Sequence, residues 1–148
     1  MSELSLENRV KHLEDKNAIK DLVYQWTFYV NKGWNDNVAD VDAMPLIYTD
    51  DVSGGMPQMN SQVNGLEQLM ADLRTDTADI IVSMHAMVNP IIKIDGDAAT
   101  GNWLMHIYVR RETGTRQLYM SVEHGYVRTA QGWRINKGLI YIGGMVQT

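Results

Sequence analysis

The hydrophobic pattern changes its period about halfway along this chain of 148 residues. In the first half, apolar residues recur every three or four positions, which places them on one face of an α-helix. From Ile80 onward, apolar and polar residues alternate, as in a β-strand with one buried face. Helices followed by a run of strands are typical of a fold that lays its helices across one face of a sheet. We therefore predict an α+β domain.

One long helix is predicted at the start of the chain. Apolar residues from Leu6 to Tyr29 keep helical spacing. The run ends at Lys32–Gly33, where Gly33 suits a left-handed helix cap because it has no Cβ.

Two shorter helices are expected to follow. The first stops near Pro45–Leu46, and Ser61 or Asn64 caps the second. Their apolar residues are Val38, Val41 and Met44 in the first, and Leu66, Leu69, Met70 and Leu73 in the second. Glycine, proline and small polar residues between Asp50 and Asn60 indicate turns around at most one short strand.

The second half predicts a meander of four strands. They run from Ile80 to Ile94, from Ala98 to Arg111, from Arg116 to Arg128 and from Trp133 to Ile142. Turn residues at Asp95–Gly96, Thr113–Gly114 and Ala130–Gln131–Gly132 separate them, so we expect the sheet order to follow the chain order. Pro90 marks a bulge or an edge position. Gly143–Gly144–Met145 is interpreted as a flexible tail or a lid.

A curved sheet closed by helices leaves a cavity on its concave side. Alternation places Trp103 and Met105 on one face of their strand, and Met120, Val122 and His124 on one face of the next. We expect these five side chains to line the cavity and bind substrate. Ten methionines suit an adaptable apolar pocket, although methionine and tryptophan at such positions are more often ordinary core.

Composition excludes several classes of function. The absence of cysteine excludes thiolate catalysis and cysteine-ligated metal sites. A net charge of −5 argues against a nucleic-acid-binding face, and no apolar run approaches the length of a membrane span. We expect a soluble, cytoplasmic protein with one domain over residues 1–148.

The histidines give no sign of a metal site. No two of them have the close spacing of metal ligands, so we predict no metal. His12 lies in the polar start of the first helix and is expected to be solvated. His106 has the opposite parity to Met105, so it should face outward or into a subunit contact.

Several segments, in their order and spacing, resemble one known family. They are LEDKNAIKDL from Leu13 to Leu22, Ser83-Met84-His85, IDGDAATGNW from Ile94 to Trp103, Tyr126-Val127-Arg128 and Gly132-Trp133-Arg134-Ile135. Together they resemble the SnoaL-like branch of the nuclear transport factor-like cone fold, which includes scytalone dehydratase, over Leu6 to Ile142. The resemblance implies a curved, mainly antiparallel sheet wrapped around N-terminal helices with an internal pocket, and a homodimer or homotrimer formed through the sheet.

The resemblance also implies a site. In these enzymes a histidine on the first long strand and an aspartate at the end of the first helix form a catalytic dyad, and these positions match His85 and Asn31. Trp26 lies in a stretch similar to scytalone dehydratase, and Val30 stands where that enzyme has a tyrosine, so both are expected to contact substrate. Asn31 cannot carry the negative charge of an aspartate.

Two hypotheses about function remain open. In the first, the protein is a cofactor-independent lyase of dehydratase type, or an isomerase, acting on a small apolar cyclic or polyketide-like molecule. His85 would be the general base, kept neutral by burial, and the Asn31 amide oxygen would fix its tautomer. In the second, the same fold is a non-catalytic binding or assembly module, and His85 is a core histidine satisfied by the backbone or by Asn31.

Overall fold

The computed structural model describes residues 4–148. Its elements are α1 (Leu6–Val30), a 3-10 helix (Val41–Leu46), β1 (Tyr48–Met56), a short 3-10 turn (Pro57–Met59), β2 (Ser61–Asn64), α2 (Leu66–Thr77), β3 (Val82–Asp95), β4 (Ala98–Arg111), β5 (Gly114–Thr129) and β6 (Gly132–Gln147). The predicted α+β fold is confirmed, because the helices lie on one side of a curved, mainly antiparallel sheet.

The sheet has six strands, whereas the sequence predicted the four of the meander and at most one further short strand. Its order is β2-β1-β6-β5-β4-β3. The antiparallel meander of β3 to β6 is confirmed, and so is the bulge at Pro90, where the register shifts between Val88 and Ile91. The expected chain-order arrangement fails for β1, which joins the far side of the sheet parallel to β6.

The segment predicted to form turns between Asp50 and Asn60 is mostly the strand β1. The adjacent glycines Gly54 and Gly55 had indicated a turn. Gly54 has a φ of +155°, and a Cβ on it would lie 1.8 Å from the carbonyl oxygen of Gly138 on β6. Here the glycines allow a close approach between two backbones rather than a turn.

The C-terminal segment is also a strand rather than a tail or a lid. β6 continues to Gln147, with Gly144 opposite Tyr119 and Met145 opposite Leu118 on β5. Glycines have low strand propensity, so the pairing is supplied by the neighbouring strand and not by local preference.

The helices differ from the predictions at their ends. α1 ends at Val30, and Asn31 is already extended, with a φ of −76° and a ψ of 152°. Gly33 has the expected positive φ, +84°, but it lies beyond the cap and packs against the carbonyl oxygen of Ile81. The second helical stretch is a 3-10 helix that excludes Val38, which is exposed.

The N-cap of α2 was predicted wrongly. Ser61 and Asn64 belong to β2, and Gly65, with a φ of +94°, is the cap residue. The Gln68 side chain reaches back to accept the backbone N–H of Asn64 at 2.9 Å. The helix therefore begins without a capping side chain, and Gln68 instead satisfies the N–H of the residue that precedes the cap.

Asp15 joins α1 to the sheet. Its carboxylate accepts two hydrogen bonds from the Arg128 guanidinium, each 2.8 Å long, and one from Trp133 Nε1 at 3.1 Å. The Arg128 guanidinium holds the pKa of Asp15 well below its usual value. Because Asp15 is buried, this pair fixes the position of the helix over the concave face.

The outward face of the sheet carries His106 and several exposed apolar side chains. As predicted, His106 faces away from the core, and its ring stacks on Tyr119 at a centroid distance of 4.7 Å. Leu104 and Met84 are about half exposed on the same face. A homodimer or homotrimer formed through this face stays a prediction. Neither α-helix in residues 4–148 has the length and the apolar character needed to cross a membrane.

Candidate active site

The end of α1 lies against the free edge of β3. β3 is the last strand of the sheet, so one side of its backbone has no partner strand. Lys32 forms a bridge to Ser83 there, with a 2.9 Å hydrogen bond from the Ser83 N–H to the Lys32 carbonyl. The Asn31 side chain meets the next free donor along this edge, the backbone N–H of His85.

One oxygen of Asn31 holds both the backbone and the ring of His85. Asn31 Oδ1 lies 2.7 Å from the His85 backbone nitrogen and 2.9 Å from Nδ1. A backbone N–H can only donate, so the atom facing it must be the amide oxygen and not the amide nitrogen. Nδ1 must then carry the ring proton, which leaves the lone pair of a neutral ring on Nε2. Nε2 of His85 is therefore a proton acceptor.

Burial keeps His85 neutral. Desolvation lowers the pKa of His85 to about 4. The buried Asn31 supplies an amide where a carboxylate would have favoured the imidazolium. The Trp26 indole packs edge-on against the imidazole, with 5.4 Å between ring centroids.

A cavity of about 220 Å³ lies between the helices and the concave face of the sheet. Its closed end is apolar and includes the buried side chains of Met87, Met105 and Val122. The exposed lining residues belong to β1, β2 and α2, and they include Asp72 and Asp76. The cavity therefore opens on the side of α2.

The predicted site residues fall into three places. Four of them line the cavity: Trp26, Met105, Val122 and His124. Three others lie in the surrounding core: Val30, Trp103 and Met120. His85 and Asn31 form a separate pair at the edge of the sheet. Trp26 contacts His85 and also lines the cavity, so it connects the two.

His124 belongs to a chain of buried hydrogen bonds. Trp103 Nε1 donates to Tyr126 Oη at 2.9 Å, and Tyr126 Oη lies 2.9 Å from His124 Nδ1. Desolvation lowers the pKa of His124 to about 4 and raises that of Tyr126. Trp103, expected to contact substrate, instead orients a tyrosine behind the histidine.

Sequence reasoning missed part of the cavity lining. Tyr48 lies on β1, next to the segment that was expected to form turns. The hydrophobic pattern of the neighbouring residues gave no sign that its side chain would line a cavity. Asp72 and Asp76 are one helical turn apart on α2, and this spacing was the signal that could have found them. Tyr126 lies in the core behind His124 rather than in the cavity lining, and its strand parity, the same as that of His124, could have indicated this position.

The described side chains offer acid–base chemistry and hydrogen-bond donors around an apolar space. In residues 4–148, no three His, Cys, Asp or Glu side chains come close enough together to hold a metal ion. His85 provides a proton acceptor at the edge of the sheet, and His124 provides a neutral imidazole in the cavity.

Comparison with known proteins identifies the family. The family model of the SnoaL-like domain matches residues 11–137, so the chain belongs to the SnoaL-like family. The comparison with curated proteins gave no significant match.

Several solved structures share the fold. The Kfla4162 protein from Kribbella flavida is 16% identical, with a TM-score of 0.82 over 91% of this chain and 95% of that chain. A provisionally assigned scytalone dehydratase from Novosphingobium aromaticivorans is 14% identical, with a TM-score of 0.80 over 91% and 88%. The hexachlorocyclohexane dehydrochlorinase LinA-type3 from Novosphingobium barchaimii is 15% identical, with a TM-score of 0.77 over 95% and 94%. At these identities the likeness establishes the cone fold alone.

Proposed function

We propose that this member of the SnoaL-like family is a cofactor-independent lyase of dehydratase type, or an isomerase, acting on a small apolar cyclic or polyketide-like molecule. One observation carries the proposal: Asn31 Oδ1 binds Nδ1–H of His85 and so leaves Nε2 as a free proton acceptor. Structural neighbours described as a scytalone dehydratase and as a dehydrochlorinase support elimination chemistry.

The proposed reaction starts with a proton transfer to His85. A substrate held against Trp26 would place an acidic C–H near Nε2. Nε2 takes this proton, and the electron pair of the broken C–H bond forms a double bond as a hydroxyl leaves the neighbouring carbon. The His85 imidazolium returns this proton to the leaving hydroxyl, which departs as water, so His85 is neutral again and atoms and charge balance without a cofactor. An apolar surrounding excludes water and lets a weak base act on a weak carbon acid.

Asn31 has a positioning role in this proposal. Its amide oxygen fixes the ring orientation and the tautomer, but it stabilises the imidazolium less than a carboxylate would. We therefore expect turnover to be limited by the unfavourable protonation of His85, whose pKa is about 4.

Turnover of cyclic β-hydroxy ketones tests the proposal. Loss of water gives a conjugated enone, which is followed by its ultraviolet absorbance. His85→Ala is expected to lower turnover by roughly 10²- to 10⁴-fold, the contribution of a general base. His12→Ala is the matched control because His12 is an exposed histidine on α1, and it should leave the rate unchanged. Equal rates for His85→Ala and wild type would remove His85 from the mechanism.

The second candidate function is binding without chemistry. The neutral amide opposite His85 favours it, because this site lacks the charge that would stabilise an imidazolium. In that case neither wild type nor Asn31→Asp would turn over any β-hydroxy ketone, although both would still bind ring compounds in the cavity.

A further inference from the structure

The segment that follows α1 binds the last carbonyl groups of this helix. The last turn of α1 contains no basic residue that could do so. The carbonyl oxygen of Thr27 accepts the backbone N–H of Asn31 at 3.1 Å, and that of Phe28 accepts from the side chain of Asn37 at 3.0 Å. Because the last carbonyls of a helix have no partner within it, these bonds determine how the chain leaves α1.

Asn37 binds two carbonyls with one amide group. Its Nδ2 lies 3.0 Å from the carbonyl oxygen of Phe28 and 2.9 Å from that of Asn31. Both oxygens can only accept, so the atom that faces them is the amide nitrogen, and both of its hydrogens are used. An aspartate of the same shape would present only acceptor oxygens to the two carbonyls.

The backbone of Asn31 is therefore held on both sides of its Cα atom. Its N–H donates to the carbonyl of Thr27, and its own carbonyl accepts from Asn37 Nδ2. With a φ of −76° and a ψ of 152° the residue is extended, and its side chain reaches the free edge of β3. The orientation of the amide oxygen that binds His85 thus depends on Asn37.

Asn37 is itself held in a tight turn. Its N–H donates to the carbonyl of Trp34, and its carbonyl accepts the N–H of Gly33, each at 2.9 Å. Gly33 has a φ of +84°, and a Cβ on it would overlap the carbonyl oxygen of Ile81. The turn therefore needs glycine at this position in order to close against the start of β3.

A second contact joins the same turn to β3 through a different residue. Trp34 Nε1 donates to the carbonyl oxygen of Ser83 at 3.1 Å. The Ser83 hydroxyl in turn donates to the carbonyl oxygen of Val30 at 3.3 Å. Trp34 thus supports the strand, whereas Asn37 binds the residue that holds the His85 ring.

We propose that Asn37 is a positioning residue for His85 and acts through Asn31. Its two hydrogen bonds hold the Asn31 backbone so that the side-chain oxygen meets Nδ1–H of the ring and Nε2 stays without a proton. The inference rests on the proposed function only in taking Nε2 as the base, because the tautomer can be measured without turnover. Asn37 needs no contact with substrate in this role.

Long-range ¹H–¹⁵N spectra of the histidine rings at pH 7 test this inference. Wild-type His85 is expected to show a neutral ring with its proton on Nδ1. Asn37→Asp repels both carbonyls, so the contact between Asn31 and the ring should loosen. Loss of one hydrogen bond should lower the ratio of the Nδ1–H to the Nε2–H form by roughly fivefold to tenfold. Asn37→Ala removes the two hydrogens without adding a charge, and it keeps the test usable if Asn37→Asp does not fold.

Two control variants separate positioning from stability. Asn35→Asp makes the same chemical change at an exposed side chain of the same turn, so the His85 spectrum should stay unchanged. Trp34→Phe removes the hydrogen bond to Ser83 but leaves Asn37 in place. It should lower the melting temperature without changing the tautomer ratio. A change in Trp34→Phe as large as that in Asn37→Asp would mean that any loosening of the turn has this effect, and it would overturn the inference.

Turnover separates this inference from the proposed function. If His85 is the base, Asn37→Asp should lower kcat for the cyclic β-hydroxy ketone by roughly tenfold or more and change KM less than about twofold. An unchanged His85 tautomer ratio in both Asn37 variants overturns the inference, whatever their turnover. A lowered ratio in these variants, without turnover by any protein including wild type, upholds the inference and refutes the proposed function.

Discussion

Asn31 and His85 are 54 positions apart in the chain, and one amide oxygen joins them. Asn31 Oδ1 lies 2.7 Å from the backbone nitrogen of His85 and 2.9 Å from its Nδ1. The backbone contact defines which amide atom faces the ring, and the ring contact then defines the tautomer. The helix end thereby determines which nitrogen of a histidine on the edge strand can accept a proton.

Asn31→Asp is expected to raise the pKa of His85. A carboxylate within hydrogen-bond distance favours the imidazolium, and such a neighbour shifts a pKa by about 1 to 3 units. We expect the pKa of His85 to rise from about 4 toward its ordinary value of 6.5, as followed by NMR titration of the ring protons. Asn17→Asp, on the exposed side of α1, is the control. An unchanged His85 titration in Asn31→Asp would mean that the two side chains do not meet in solution.

Stability should fall as the pH is lowered from 7 to about 4.5. The pKa of His85 and that of His124 are lowered from 6.5 to about 4 in the folded protein, so the unfolded chain binds more protons between these values. The contribution of each histidine to the free energy of unfolding is complete above pH 6.5. It is lost as the pH falls toward 4, by at most about 3 kcal/mol per histidine. Urea unfolding at several pH values measures it.

Variants of single histidines show which of them cause this pH dependence of stability. His85→Gln and His124→Gln should each flatten part of the slope between pH 6.5 and 4.5, whereas His12→Gln should not. The depressed pKa of Asp15 acts in a separate window, because its contribution is lost only below its unfolded value of about 3.8. A slope that survives in the His85→Gln, His124→Gln double variant would refute the assignment.

Asp15→Asn is expected to destabilise the fold by about 2 to 3 kcal/mol. The change leaves Arg128 without the carboxylate that accepts two of its hydrogen bonds at 2.8 Å, and the Asp15 side chain is only 11% exposed. Asp97→Asn is a matched control, because Asp97 accepts from the same guanidinium at 2.9 Å but is 82% exposed. It should cost less than about 1 kcal/mol. Equal losses of unfolding free energy in the two variants would contradict this account.

Gly54→Ala is expected to destabilise the protein by more than about 2 kcal/mol. Alanine disfavours the positive φ of this residue, and its Cβ would overlap the backbone of β6. The new Cβ would lie 1.8 Å from the Gly138 carbonyl oxygen, so β1 and β6 would have to separate. Gly144→Ala is the matched control on β6, where a Cβ meets no atom within 4 Å. Thermal unfolding of the two variants measures the difference, and similar melting temperatures would argue against the parallel pairing of β1 with β6.

The sequence by itself determined the long first helix, the meander of β3 to β6 and the inward face of each strand. These features are local, because periodicity and turn residues such as Asp95–Gly96 act over a few positions. Strand alternation correctly placed Met105, Val122 and His124 toward the cavity. The resemblance to the SnoaL-like family paired Asn31 with His85, and these two residues are in hydrogen-bond contact.

Only the tertiary structure decided how distant segments meet. From the sequence, Gly54 was expected in a turn and Gly144 in a tail. Both lie in strands, because neighbouring strands supply their hydrogen bonds. Likewise, no local pattern places α2 and its two carboxylates at the opening of the cavity. Which nitrogen of His85 and which of His124 carries the proton depends on partners elsewhere in the fold, Asn31 for one and Tyr126, held by Trp103, for the other. Hydrogen bonding between distant groups is a property of the packed chain, so it could not be read from sequence period or composition.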